Sequence, residues 1–258
     1  MDRISIDLEN VTVAYHGAVA LHKASLQLKA GSICGLVGMN GAGKSTLLKA
    51  IMGFVQPVSG RVLINGLPIR KVQKQNLVAY VPQSEEVDWD FPVSVYDVVM
   101  MGRYGYMNLL RIPNAADKKA VRDSLERVEM WEMRDRQIGE LSGGQKKRTF
   151  FARALAQQGK ILLLDEPFAG VDIKTEKMLI TLLMAMREAD YTILISTHDL
   201  SSLSTFCNQV ILINRTILAY GETSEVFTEE NLSRTFGGSI SDLSLAKNQL
   251  AQSQERTR

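Results

Sequence analysis

The sequence predicts an α/β fold: a mostly parallel core sheet wrapped by helices, with an α-helical insert. Three observations carry this. Short, almost uniformly apolar runs at Ile33 to Val37, Ile161 to Leu164 and Thr192 to Ser196 read as strands buried on both faces. Stretches of helical periodicity separate them, the alternation expected of a parallel sheet. Between Ser84 and about Gly139 the pattern turns helical throughout, and strand–helix alternation then resumes.

In chain order, the first stretch is β-rich. Ile4, Ile6 and Leu8, then Val11, Val13 and Tyr15, alternate with polar residues, as do Leu26 and Leu28 before Ala30-Gly31. Ile33 to Val37 feeds a glycine-rich loop, and a helix follows from Lys44 to Met52, closed by Gly53. Arg61 to Ile64 with Asn65-Gly66 is a hairpin signal, and Val78 to Val81 is a strand ended by Pro82. In the insert, helices are expected over Val95 to Met101 and Asp117 to Met130, around a loop holding Gly102, Gly105 and Pro113. Helices over Gly144 to Ala156 and Lys174 to Glu188, and a strand over Gln209 to Asn214, complete the pattern. Ser239 to Arg258 is polar and reads as a weakly ordered tail.

The 258 residues, 45% of them hydrophobic, suffice for one large domain or two modest ones. A net charge of +2 without a dense Lys/Arg stripe gives no sign of a nucleic-acid partner. Cys34 and Cys207 sit in or beside apolar stretches and read as buried, reduced thiols. The first residues alternate like a strand and not like a signal peptide. No apolar run nears the roughly 20 residues a spanning helix needs, so work at a membrane would require another chain to hold this one there.

Gly38-Met39-Asn40-Gly41-Ala42-Gly43-Lys44-Ser45 fits G-x-x-x-x-G-K-[ST] between a strand and a helix, as a phosphate-binding loop requires. Its N–H groups would converge on phosphate oxygens, Lys44 would reach the β- and γ-phosphates, and Ser45 would ligate Mg²⁺. Leu141-Ser142-Gly143-Gly144-Gln145 looks like a second helix start with bare N–H groups, hence a second anion site. Asp165 and Glu166 emerge at the C-terminal end of an apolar strand, where ligands of parallel sheets collect. Asp165 would hold the magnesium, mostly through water, leaving Glu166 to polarise an attacking water. Gln83 and His198 also follow strands. Each in isolation suits a cap or surface residue, yet at the ends of separate parallel strands both could point at one γ-phosphate.

Tyr15, Gly38 to Ser45, Gln83, Leu141 to Gln145, Asp165-Glu166, Asp172 and His198, in that order, resemble the ATP-binding cassette of ABC transporters over about residues 5 to 235. The resemblance implies the ABC-ATPase (P-loop NTPase) fold as one domain over 1–235. Residues 1–83 and 140–235 would form the nucleotide-binding core, with an antiparallel β subdomain, and 84–139 a helical subdomain. It implies ATP and Mg²⁺ as ligands. Tyr15 would stack on adenine, with Gly38, Asn40, Gly41, Gly43, Lys44, Ser45 and Thr46 completing the chain's own nucleotide contacts. Gln83 would sense the metal and the attacking water, joining Ser45 and Asp165 at Mg²⁺. His198 would bind the γ-phosphate beside Glu166 and Lys44. Ser142, Gly143, Gly144 and Gln145 would cap a partner's γ-phosphate, with Asp172 crossing the boundary, so the working unit would be a head-to-tail homodimer around two ATP molecules.

The insert, with Val87-Asp88-Trp89-Asp90-Phe91-Pro92 and Asp97 to Arg103, resembles ATPases of importers for manganese, zinc and iron, nearest the manganese or iron branch. That implies multi-span permease subunits docked on the insert, a substrate-binding protein indirectly, and a peripheral place on the cytoplasmic face of the membrane. The apolar-aromatic stretch from Trp89 to Tyr106 suits either a docking surface or core packing. His16, His22, His198 and the two cysteines have no metal-ligand spacing. A soluble ABC ATPase acting on ribosomes or DNA is the alternative; a single cassette with a short insert and no heptad array fits it less well.

Overall fold

A computed structural model describes residues 3–83, 91–198 and 200–237 of the chain. The Trp89 part of the insert motif and the tail from 239 lie outside the described residues.

Strands β1 (Ile4–Tyr15) and β2 (Ala18–Lys29) form a long antiparallel hairpin, and β3 (Ile33–Val37) starts the core sheet. The change of phase between Leu8 and Val11 is a bulge within one strand. Register shifts there, Asn10 takes a left-handed φ of 49°, and its N–H is bonded by Ser25 Oγ at 2.8 Å. The extra residue returns Val11 and Val13 to the face already occupied by Ile6 and Leu8, and all four are buried.

Helix α1 (Lys44–Met52) ends at Gly53, with φ 74°, as its sequence predicts. Strands β4 (Ser59–Ile64) and β5 (Leu67–Pro68) flank Asn65 and Gly66, both with positive φ, the two-residue turn that suits a hairpin. Helix α2 (Ile69–Lys74) leads to β6 (Val78–Val81). The helical segment holds α3 (Val95–Met101) and α4 (Ala115–Arg127). Its two ends are bonded together: Val95 N–H donates to Arg136 O at 2.9 Å and Ile138 N–H to Val93 O at 3.1 Å.

Both ends of α4 move from their expected places. Helix α4 begins two residues before Asp117 because Asn114 is the cap: Asn114 Oδ1 accepts Asp117 N–H and Asp117 Oδ2 accepts Asn114 N–H, each at 3.0 Å. It stops before Met130 because Glu129 adopts a left-handed φ of 55°.

Helix α5 (Gly143–Ala156), β7 (Ile161–Asp165), α6 (Ile173–Glu188) and β8 (Thr192–Thr197) follow the predicted alternation. After α7 (Leu200–Phe206) come β9 (Gln209–Ile213) and β10 (Ile217–Glu222), then α8 (Thr223–Val226) and α9 (Glu229–Phe236). The core sheet has the order β10-β9-β3-β8-β7-β6, parallel from β6 to β9 with β10 antiparallel at the edge. The second sheet, β2-β1-β4-β5, is antiparallel.

Alternate residues of the parallel strands face two different cores. Ile33, Leu162, Leu164, Ile193 and Ile195 pack with α3, α4, α5 and α6. Cys34, Leu36, Leu163 and Leu194 pack with α1 and the antiparallel sheet. Both faces are therefore covered, which explains why these strands read as continuous apolar runs.

Candidate active site

Four adjacent strands deliver the site. In sheet order β3, β8, β7 and β6 end at Val37, Thr197, Asp165 and Val81. The residues that follow them are the phosphate loop, His198, Glu166 and Gln83 respectively. Residues scattered across the sequence meet because parallel strands bring like ends to one edge.

The phosphate loop closes tightly on the sheet. A Cβ on Gly38 would stand 2.3 Å from Ile213 O, and one on Gly43 2.9 Å from Ala20 O, so side chains are excluded at both. Gly43 caps α1 at φ 98° with no side-chain hydrogen bond, so the first turn offers its N–H groups to a ligand. Lys44 is 6% exposed and folds back on its own loop, Nζ donating to Gly38 O at 2.8 Å and Met39 O at 3.2 Å. Burial pulls its ammonium below the usual lysine range, and the Glu166 and Asp165 carboxylates oppose that shift.

Glu166 is the hub. Its carboxylate accepts Gln83 Nε2–H at 2.8 Å through Oε2, and His198 Nδ1 lies 3.4 Å from Oε1. Its backbone is left-handed, φ 48°, in a region that costs a non-glycine residue about 1–2 kcal/mol. Its N–H donates to both Ser196 O and Ser196 Oγ at 3.1 Å. Ser196, fully buried, also donates its hydroxyl to Asp165 Oδ1, while Tyr80 OH stands 3.5 Å from Asp165 Oδ2. One serine thus orients both acids. Sequence reasoning missed it, although a polar residue at the end of the Thr192 to Thr197 run is a signal once β7 and β8 are paired, Asp165 opposite Ser196.

The second glycine loop is less bare than expected. Ser142 and Gln145 form a capping box: Gln145 Oε1 accepts Ser142 N–H at 2.9 Å and Ser142 Oγ accepts Gln145 N–H at 3.4 Å. Gln145 uses its side chain in the cap. Gly143 and Gly144 precede the first intrahelical bond, from Lys146 N–H to Ser142 O, so their N–H groups are the ones left to an anion. Asp172 caps α6 through Thr175 N–H at 3.0 Å and Thr175 Oγ1 at 2.7 Å, and its Oδ2 lies 3.4 Å from where a Gly144 Cβ would be.

The expected residues therefore fall into two groups. Lys44, Gln83, Asp165, Glu166 and His198 gather at the sheet edge, with Ser45 and Thr46 half-buried in the first turn of α1 and Asn40 and Gly41 exposed in the loop. Ser142, Gly143, Gly144 and Asp172 gather at the start of α5. Tyr15 closes β1, 39% exposed, on the hairpin whose Ala20 O borders Gly43.

Comparison with known families decides what this edge belongs to. The model of the ABC transporter family matches residues 21–169, from β2 through the phosphate loop and second glycine loop to just past Glu166. The chain belongs to the ABC transporter family. Within that family, the manganese transport system ATP-binding protein MntA of Synechocystis sp. is 64% identical over 239 residues, 92% of each chain. The chelated iron transport system membrane protein YfeB of Yersinia pestis is 57% identical, covering 95% of this chain and 83% of that one. The zinc transport system ATP-binding protein TroB of Treponema pallidum is 43% identical over 92% of this chain and 88% of that one. Among solved structures, a metal-chelate type ABC transporter in an inward-facing conformation superimposes with a TM-score of 0.79 at 28% identity, over 90% of this chain and 88% of that one. This ABC transporter protein is an ATP-binding ATPase.

A second surface lies beside the ATPase edge. A cavity of about 480 Å³ between the core and the helical segment is lined by Phe54, Tyr80, Met101, Gly105, Arg153 and Gln157, among others. Next to it in the chain, Tyr104, Tyr106, Leu109, Leu110 and Ile112 are exposed. Among the described residues no helix is long and apolar enough to cross a membrane, and no three His, Cys, Asp or Glu side chains are grouped to hold a metal ion.

Proposed function

We propose that the chain is the ATP-hydrolysing subunit of a divalent-metal importer, manganese before iron or zinc. The observation that carries the chemistry is the Glu166 carboxylate held between Gln83 Nε2 and His198 Nδ1 on the same edge as the Lys44 loop. The names of relatives at 64% and 57% identity support the cargo class.

Water attacks the γ-phosphate in line, and Glu166 polarises it and accepts its proton. Lys44 leaves the carbonyls of Gly38 and Met39 for the phosphate oxygens, which also receive the N–H groups at the start of α1. Tyr15 stacks on adenine, Asn40, Gly41 and Thr46 complete the cradle, and His198 holds the γ-phosphate. The Ser45 hydroxyl, the Asp165 carboxylate and the Gln83 amide are oxygen donors, the set that suits Mg²⁺. Ser196 bonds one oxygen of Asp165, and among the described residues the other has only the Tyr80 hydroxyl, at 3.5 Å, to give up for a metal. When bound, Mg²⁺ neutralises charge on the β- and γ-phosphates.

Two chains close around two nucleotides, each offering Ser142, Gly143 and Gly144 to the other's γ-phosphate, with Asp172 beside them. Residues 1–83 and 140–235 act as the nucleotide-binding core and 84–139 as the helical subdomain. A multi-span permease lays a short cytoplasmic segment over the cavity and the apolar side chains from Met101 to Ile112. A patch of this kind exposed beside a groove is what a protein interface uses. That contact holds the chain at the cytoplasmic face of the membrane, where a substrate-binding protein delivers metal to the permease.

The test is reconstitution with a candidate multi-span permease of a metal importer. Manganese uptake into vesicles that depends on ATP and ceases with Glu166→Gln supports the reading. ATP turnover without uptake of manganese, iron or zinc overturns it.

A further inference from the structure

Helix α5 has two roles on opposite ends of the hydrolytic question. Its first turn carries Ser142 to Gly144, and its second turn reaches this chain's own site. Lys147 Nζ donates to Gln83 O at 2.9 Å, and Gln83 Nε2 in turn donates to Glu166 Oε2 at 2.8 Å. At the far end of the helix Gln157 Nε2 donates to Val78 O at 2.9 Å.

The spacing makes these bonds a pair of clamps. From Lys147 to Gln157 a helix rises about 15 Å, and from Val78 to Gln83 an extended chain spans about 16 Å. Helix and strand run antiparallel at matched lengths, so α5 is bonded to both ends of β6 and of the residues that continue it. The two clamps differ in what they hold. Val78 is a ladder residue of β6, paired opposite Ile161 in the core sheet. Gln83 lies beyond the end of β6, past Pro82, with its side chain on the catalytic carboxylate. A shift of α5 is therefore taken up at Gln83 and not at Val78.

We infer that Lys147 is a positioning residue for hydrolysis: it fixes the backbone of Gln83 and through it the Glu166 carboxylate, tying the orientation of α5 to the readiness of the chain's own site. This rests on the proposed roles of Gln83 and Glu166. The bond is between a cation and a carbonyl, so it is stronger than a neutral one and needs only a positive donor of similar reach.

The experiment is a double-mutant cycle on ATP turnover by the full-length chain. Lys147→Met is expected to lower kcat about tenfold with KM for ATP changed less than about twofold, and Lys147→Arg to recover most of that loss. In a Gln83→Ala background, Lys147→Met is expected to add less than about a twofold further loss, because the group it positions is gone. A full additional tenfold loss in that background would mean that Lys147 acts through general folding of α5, and would overturn the inference. So would normal kcat for Lys147→Met when Gln83→Ala is impaired. Normal turnover by Gln83→Ala would instead remove the role assigned to Gln83, and the inference with it.

Discussion

Gln83 and Glu166 lie 83 positions apart in the chain and 2.8 Å apart in space. The contact joins the end of β6 to the end of β7, neighbours in the sheet although the whole helical segment intervenes in sequence. The carboxylate that would activate water is thus contacted by the residue that immediately precedes the helical segment.

Glu166→Gln should retain ATP binding and lose turnover by about 10²–10⁴-fold, the usual contribution of a positioned general base. The amide keeps the shape that Gln83 contacts but accepts no proton. Size-exclusion chromatography with ATP should show the variant held as a dimer. Full turnover would remove Glu166 from the role.

Ser142→Arg should abolish turnover while sparing ATP affinity of the isolated monomer. It also deletes a cap, a loss of about 1 kcal/mol, so a small fall in melting temperature is expected beside the catalytic loss. Wild-type hydrolysis by this variant would leave the second glycine loop without its assigned purpose.

Gly38→Ala should fail in the phosphate loop itself. The added methyl would meet Ile213 O at 2.3 Å and Ala42 Cβ at 2.9 Å. Backbone cannot yield cheaply, so overpacking of about 1–3 kcal/mol is expected, with weakened nucleotide affinity by isothermal titration. Unchanged affinity and unchanged urea midpoint would show that the loop has room.

Arg103 is buried with its guanidinium on Asp117 Oδ1 at 3.0 Å, Ala156 O at 2.9 Å and Gln158 Oε1 at 2.9 Å. It ties α3 to α4 and to the end of α5. Arg103→Leu leaves the buried Asp117 carboxylate without a counter-charge and should cost about 3–5 kcal/mol. Chemical denaturation measures it; a loss below about 1 kcal/mol would mean that the pair adds little.

Asp172 gives a pH signature. Hydrogen bonds from Thr175 hold its carboxyl below the usual carboxylate range. Its stabilising contribution is therefore complete above the unfolded pKa, roughly 4, and lost as pH falls through the lower folded value. Wild type should melt above Asp172→Asn at neutral pH and the two should converge in acid. A gap independent of pH would count against ionisation as its cause.

Most elements of the fold, and the chemical inventory of the site, are legible in the amino-acid sequence alone. Continuous apolar runs exposed the buried strands because both of their faces are covered, and Gly38 to Ser45 and Ser142 to Gln145 are legible as local backbone geometry followed by a helix. Local signals did less well where a boundary depended on a cap, as at Asn114. They were silent for β10, a half-exposed edge strand, and for the helices α2, α7, α8 and α9. Contact between distant strand ends is absent from any local signal. Ser196 beneath both acids, Lys147 on the backbone of Gln83, and Gln83 itself on Glu166 depend on which strands are neighbours. Sheet order is fixed by long-range packing of β3, β8, β7 and β6, and no window of adjacent residues contains it.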